Sequence, residues 1–263
     1  MAFMEVNFFS DALGMAMSLN AVIPQRTRGN IGVNPGETGE TFPTLWLLHG
    51  MSDDHTIWMR RTSIERYAEE HGIAVVMPTT YLGWYTDMKF GYAYRTFIGE
   101  ELPKICRSFF PGMSARREDN YISGNSMGGY GSLALALTYP ETYGVCAPLS
   151  AAFDPTHLYN PEHPENTFFT DIFGPIDEFA GSPNDLFHMA EVRKNDGSPL
   201  PKLFIACGQD DFLLHDNHRM RDCLTALGYD VTYREPDGAH TWGFWDREIQ
   251  NVLTFIDDYR KGI

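Results

Sequence analysis

The sequence predicts an α/β fold with a mainly parallel central sheet covered by helices on both faces. Three observations lead there. Short, continuous apolar runs recur at 44–50, 73–78, 120–125, 143–150 and 202–208. Runs of that length without alternation suit strands buried on both faces. Segments with helical character separate them, the order that builds parallel sheets by crossover connections. One join, Tyr121 to Tyr139, passes from an apolar strand through a Gly-rich turn straight into an apolar helix stopped by Pro140.

Taken in order, residues 2–9 and 15–23 read as two strands joined by a turn near Asp11 to Gly14, forming an antiparallel edge. Residues 24–43, rich in Gly, Pro and Thr, read as an exposed loop. "TLWLLHG" (44–50) is a buried strand, and 63–71 a helix with Ser63 at its N-cap. "IAVVMP" (73–78) is the next strand, followed by an aromatic loop, "TTYLGWYTDMKFGYAY" (79–94). Ile98, Leu102, Ile105 and Phe109 recur at helical spacing after it. Strands at 120–125 and 143–150 precede a stretch, 151–200, without clean periodicity, which reads as loops and short helices over the sheet. A buried strand at 202–208 and a helix at 217–227, ending at Gly228, follow. "DVTYREP" (230–236) alternates and belongs nearer an edge. The final helix, 241–260, carries Trp242, Trp245, Ile249, Val252 and Ile256 on one face. The whole chain, 1–263, is expected to form one domain, with 151–200 a cap-like insertion rather than a second one.

Composition narrows the function. The 263 residues are 43% hydrophobic and 21% charged, ordinary for a globular protein able to bury a sizeable core. A net charge of −15 repels phosphate backbones and anionic lipid, so no nucleic-acid or membrane partner is expected. No apolar run approaches membrane-spanning length, and the N-terminal residues lack the basic start of a signal peptide. The four cysteines, Cys106, Cys146, Cys207 and Cys223, show no Cys-x-x-Cys spacing, which points to a reducing cytoplasm.

The chemistry gathers around "YISGNSMGGYG". Gly-x-Ser-x-Gly arises by chance in a chain with 24 glycines, but strand, sharp turn and helix around Ser126 is the context of a nucleophile elbow. A serine hydroxyl needs a base to accept its proton and a carboxylate to orient that base. His240, in "DGAH" between the last strand and the last helix, is the one of nine histidines placed for this. Asp210 and Asp211, in "CGQDDFLL", are both placed for the acid, and spacing does not choose between them. Backbone N–H donors for an oxyanion are expected from Met127, after the nucleophile, and from Met51 in "HGMSDDHTIW". Trp58, Trp84 and Tyr85, with Phe153, are expected near the same sheet edge, lining a cleft that closes after a few acyl carbons. His215 to His218 and Asp53 to His55 lack metal-ligand spacing, so neither a metal nor a cofactor is expected.

Several segments together resemble the tributyrin-esterase-like branch of the esterase D and S-formylglutathione hydrolase family. They are "LWLLHGMSDDHTIWMRRTSIERYAEE", "GWYTD", "EELPKICRSFFP", "YISGNSMGGYGSLALALTYP", "CGQDDFLL", "LGYDVTY" and "GAHTWGFW", and they span most of the chain. The resemblance implies an α/β-hydrolase fold and a Ser-Asp-His triad without cofactor, cleaving small esters or thioesters. The family pattern Gly-x-x-Asp before Phe-Leu selects Asp211 over Asp210. The loop "HGMSDD" lacks the Cys associated with the S-formylglutathione hydrolases and favours the carboxylesterase branch.

The expected function is therefore a serine carboxylesterase acting on short-chain acyl esters through an acyl-enzyme. Alternatives are an S-formylglutathione hydrolase-type thioesterase, an acetyl or feruloyl esterase acting on plant-derived saccharides, and a catalytically silent binding scaffold. The expected partner is a small-molecule ester, with the oligomeric state, homo-oligomer included, left open.

Overall fold

The computed structural model describes residues 1–25, 36 and 39–262. Eight strands are present: β1 (Ala2–Ser10), β2 (Met15–Ile23), β3 (Thr44–Leu48), β4 (Ala74–Pro78), β5 (Asn120–Asn125), β6 (Val145–Leu149), β7 (Lys202–Ala206) and β8 (Val231–Arg234). They form one sheet in the order β1-β2-β4-β3-β5-β6-β7-β8. β1 and β2 pair antiparallel, as do β2 and β4; every other pairing is parallel. The sheet is the one the apolar runs predict, with the N-terminal hairpin at one edge and the half-exposed β8 at the other.

Period-2 alternation divides the strand side chains between two cores. Leu45 and Leu47 of β3, Val75 and Met77 of β4, and Phe204 and Ala206 of β7 face one side. Trp46 and Leu48, Ala74 and Val76, and Leu203 and Ile205 face the other. The helices Ile64–His71 and Trp242–Lys261 close the first core. The helices Leu102–Phe109, Met127–Thr138, Leu186–Asn195 and Leu214–Ala226 close the second. Met127–Thr138 is apolar all round and buried from Met127 to Leu137, as a helix at the centre of such a layer must be.

Local details depart from the expectations. Ser63 stands at its N-cap position but its hydroxyl does not cap; Thr62 Oγ1 accepts the Ile64 N–H instead, at 3.1 Å. The helix expected around Ile98 to Phe109 contains a π-turn at Phe97–Glu101. Pro103 has no N–H to continue an α ladder, and the Leu102 N–H reaches back to Phe97 O. The extra residue rotates the helix, so Phe109 is exposed while Ile98 and Leu102 stay buried. The strand expected at 143–150 is shorter, Val145–Leu149, and the stretch 151–200 holds a 3-10 turn at Pro155–Leu158 and the helices Phe168–Phe173, Ile176–Phe179 and Leu186–Asn195. Most of the loop expected at 24–43 lies outside the described residues.

Candidate active site

β5 runs into Ser126 with φ 55° and ψ −116°, and the Met127–Thr138 helix begins at the next residue. Positive φ in a residue with a Cβ is strained by about 1–3 kcal/mol, so the surroundings must impose it. The Ser126 N–H donates to Leu149 O at the end of β6 (2.9 Å), and Ser126 O accepts from Gly129 N (2.9 Å) and Tyr130 N (3.1 Å). The flanking glycines are required by backbone contacts. A Cβ on Gly124 would lie 2.5 Å from Gly128 O, and one on Gly128 would lie 2.6 Å from both Leu48 O and His49 O. The strand, turn and helix pack too closely for any side chain at either position.

Asp211 follows β7 and is 5% exposed. Its Oδ1 accepts the Leu213 N–H at 2.9 Å, and both carboxylate oxygens lie 3.0 Å from His240 Nδ1. Burial alone would raise the Asp211 pKa; hydrogen bonds from His240, the Leu213 N–H and the Ser150 hydroxyl outweigh it and hold the carboxyl below its usual range. Asp210 is exposed, and its backbone N–H donates to Gly238 O at 2.9 Å, tying the acid loop to the loop that carries His240. Ser126 and Asp211 follow strands that flank β6. His240 comes from the loop after β8, at the same C-terminal edge of the sheet, with its Nδ1 at the Asp211 carboxylate.

The loop that carries Met51, expected to supply an oxyanion donor, follows β3. Its Gly50 O accepts from Asp53 N at 3.3 Å, and Ser52 has φ 70°, so Met51 sits on a tight turn with its side chain 44% exposed. His49 holds the loop from beneath. Its Nδ1–H donates to Gly50 O (2.7 Å) and its Nε2 accepts from Thr80 N (3.0 Å), while the Tyr85 hydroxyl donates to His49 O (2.9 Å). Burial lowers the His49 pKa to about 4, so the ring is neutral. Asn125 is buried next to Ser126, and its Nδ2 would lie 2.9 Å from a Cβ on Gly50; the two loops meet there. Met127 contributes a first-turn N–H, one of the donors an α-helix leaves without an intrahelical partner.

The expected substrate-lining rings are a correction. Trp58, Trp84 and Tyr85 are 1%, 2% and 0% exposed, and Phe153 is buried as well. Trp58 lies in the core on the opposite side of the sheet from Trp84 and Tyr85. Its Nε1–H donates to Leu48 O at 3.0 Å. Trp84 packs edge-on against Tyr130 and Phe173, and Tyr85 spends its hydroxyl on His49. Burial removes the large apolar surface of these rings from water. Sequence reasoning missed the rings that do surround the imidazole. Trp245 meets His240 edge-on (centroids 4.9 Å, 88°) and donates its Nε1–H to Ser150 Oγ at 3.1 Å. Phe212 packs on His240 at 4.5 Å and is 75% exposed. Both lie in segments that matter for the acid and the base, "CGQDDFLL" and "GAHTWGFW", where an aromatic beside each was the available signal.

With this geometry in view, the Esterase family model matches residues 20–256. The chain belongs to the Esterase family. Its relatives place it in the esterase D-like group of α/β-hydrolases, and it is a carboxylic ester hydrolase of the serine type. An acetyl esterase of Caldicellulosiruptor saccharolyticus is 29% identical, over 97% of this chain and 98% of the relative. The substrate-bound structure of FphF, a fluorophosphonate-binding serine hydrolase of Staphylococcus aureus, is 33% identical with a TM-score of 0.86, covering 97% of this chain and 98% of that one. The S-formylglutathione hydrolase FrmB of the same organism is 33% identical, with a TM-score of 0.84 and the same coverage. No helix among the described residues is long and apolar enough to cross a membrane.

Proposed function

We propose that this esterase hydrolyses short-chain acyl esters with Ser126, His240 and Asp211 as its triad. The observation that carries the reading is the pairing of His240 Nδ1 with both oxygens of a buried carboxylate, in a sheet whose strand β5 ends in a serine held at positive φ. Ser126 Oγ attacks the ester carbonyl carbon while His240 Nε2 takes its proton. The carbonyl oxygen becomes an oxyanion held by the Met51 and Met127 N–H groups. Collapse breaks the bond to the leaving oxygen, which takes the proton from His240 and departs as the alcohol. Water then attacks the acyl-enzyme with His240 again as base, and the carboxylic acid leaves. As the second intermediate collapses, His240 passes the proton taken from water to Ser126 Oγ; no electrons are transferred to or from the substrate, so no cofactor is called for.

The acetyl esterase relative, matched along nearly its whole length, supports a short acyl group. The FrmB likeness supports a second reading, a thioesterase acting on S-formylglutathione. Four free cysteines support a reducing compartment, the cytoplasm. The test is a panel of acyl esters of graded length with S-formylglutathione included. Highest kcat/KM on acetate to butyrate esters supports the first reading; a preference for the glutathione thioester replaces it with the second.

A further inference from the structure

Phe212 is a large apolar ring that the fold leaves in water beside a catalytic base. It is 75% exposed, whereas Trp58, Trp84 and Tyr85 are all interior. The His240 ring is enclosed on two sides, by the edge of buried Trp245 and by exposed Phe212. The backbone around Phe212 is held as well: the Asp211 carboxylate accepts the Leu213 N–H and pairs with His240. A ring whose backbone is already ordered offers an apolar contact at reduced entropic cost.

Strand order says which half of the ester meets it. The oxyanion loop follows β3, on one side of β5, while the acid and base loops follow β7 and β8, on the other side beyond β6. The carbonyl oxygen must point toward the β3 side. The leaving oxygen must come to His240 Nε2, because that nitrogen delivers its proton. The carbons attached to the leaving oxygen therefore lie beside the imidazole, against the ring that covers it. Asp210, adjacent and exposed, adds negative charge to that rim, on a chain of net charge −15.

We propose that Phe212 is a specificity-determining residue for the alcohol half of the ester, selecting uncharged apolar alcohols, aryl and benzylic ones above all. This rests on the triad reading given above and extends it to the leaving group. It assigns the acyl half no contact with Phe212.

The experiment compares methyl acetate, benzyl acetate and methyl butyrate in the wild type, Phe212→Ala and Phe212→Leu. In Phe212→Ala, kcat/KM for benzyl acetate should fall about tenfold or more, mainly through KM. Both methyl esters should fall by no more than about threefold and keep their ratio to each other. Phe212→Leu, which keeps apolar surface without a ring, should recover part of the benzyl loss. An equal fall on all three esters would mean that the ring only packs the imidazole, and a fall that follows the acyl chain would place the ring on the other half; either overturns the proposal while leaving the esterase reading intact. A wild type that cleaves none of the three above the Ser126→Ala background overturns both.

Discussion

His240 Nδ1 lies 3.0 Å from both carboxylate oxygens of Asp211. A carboxylate is acceptor-only, so Nδ1 must carry the proton, and Nε2 keeps a lone pair able to accept one. The arrangement settles on one tautomer because Asp211 is itself fixed by the Leu213 N–H and held ionised by its hydrogen bonds. Trp245 closes one side of the imidazole, which limits rotation about the side chain.

Ser126→Ala should abolish esterase activity without unfolding the protein. The substitution removes one oxygen and keeps the backbone bonds of Ser126 to Leu149 and Tyr130. The loss should be at least about 10³-fold in kcat, since oxyanion binding and positioning remain. Steady-state assay on p-nitrophenyl acetate, with a urea melt as the folding control, measures it. Near-full activity in this variant would remove Ser126 from the mechanism.

Asp211→Asn should lower kcat by several orders of magnitude, about 10⁴-fold where the same change has been made in a triad, while Asp210→Asn should change it only a few-fold. The amide would present a donor to Nδ1–H or force the other tautomer. Asp210 has an exposed side chain, and what it contributes to the loops is its backbone N–H, which Asn keeps. Comparing kcat for the two variants decides the matter, and the reverse ranking would show that the wrong carboxylate had been chosen.

How far the sequence reaches can be judged from particular residues. The strands were legible because Leu45 to Leu48 and Val75 to Met77 are apolar at every position, as burial on both faces demands. The turn at Ser126, between β5 and the helix that follows, and the place of His240, between β8 and the last helix, were legible from the order of strands and helices. Asp211 was not separable from Asp210 by spacing, because adjacent residues differ in direction rather than in position. The rings failed for a related reason. Trp58 and Trp84 sit in segments leading from the sheet's active edge, but sequence proximity to an edge does not say which core a ring enters. Trp58 turned to the far core, and Phe212, passed over as part of an acid motif, remained outside.

The buried rings should govern stability rather than binding. Trp58→Phe removes the indole N–H that donates to Leu48 O in the core. The expected cost is about 1 kcal/mol, that of one hydrogen bond. KM for p-nitrophenyl acetate should stay within about twofold of the wild type, since the ring reaches no solvent-filled cleft. Urea midpoints and KM values measured on the same preparations test this. A large rise in KM with unchanged stability would return Trp58 to the substrate site.

His49 makes stability depend on pH in a definite window. Burial holds its pKa at about 4 in the folded chain, against an ordinary value of 6.5. Between these two values the unfolded chain binds a proton that the folded one refuses, so stability rises with pH across the window and falls as pH drops from about 6.5 to 4. The gap corresponds to roughly 3 kcal/mol, present in full above the upper limit. Asp211, with a depressed pKa, contributes its own loss only as pH falls below about 4. Protonation would also put an N–H on His49 Nε2, facing the Thr80 N–H that it now accepts. The bonds from Nδ1–H to Gly50 O and from the Tyr85 hydroxyl to His49 O would persist, so the loss falls on the Thr80 contact. His49→Gln keeps an acceptor for Thr80 but does not titrate. It should be less stable than the wild type at pH 7 yet lose less stability on acidification, the two curves converging as pH falls toward 4. Urea unfolding of both proteins at intervals from pH 7 to 4.5 measures the slopes, and parallel curves would show that His49 is not the group that titrates.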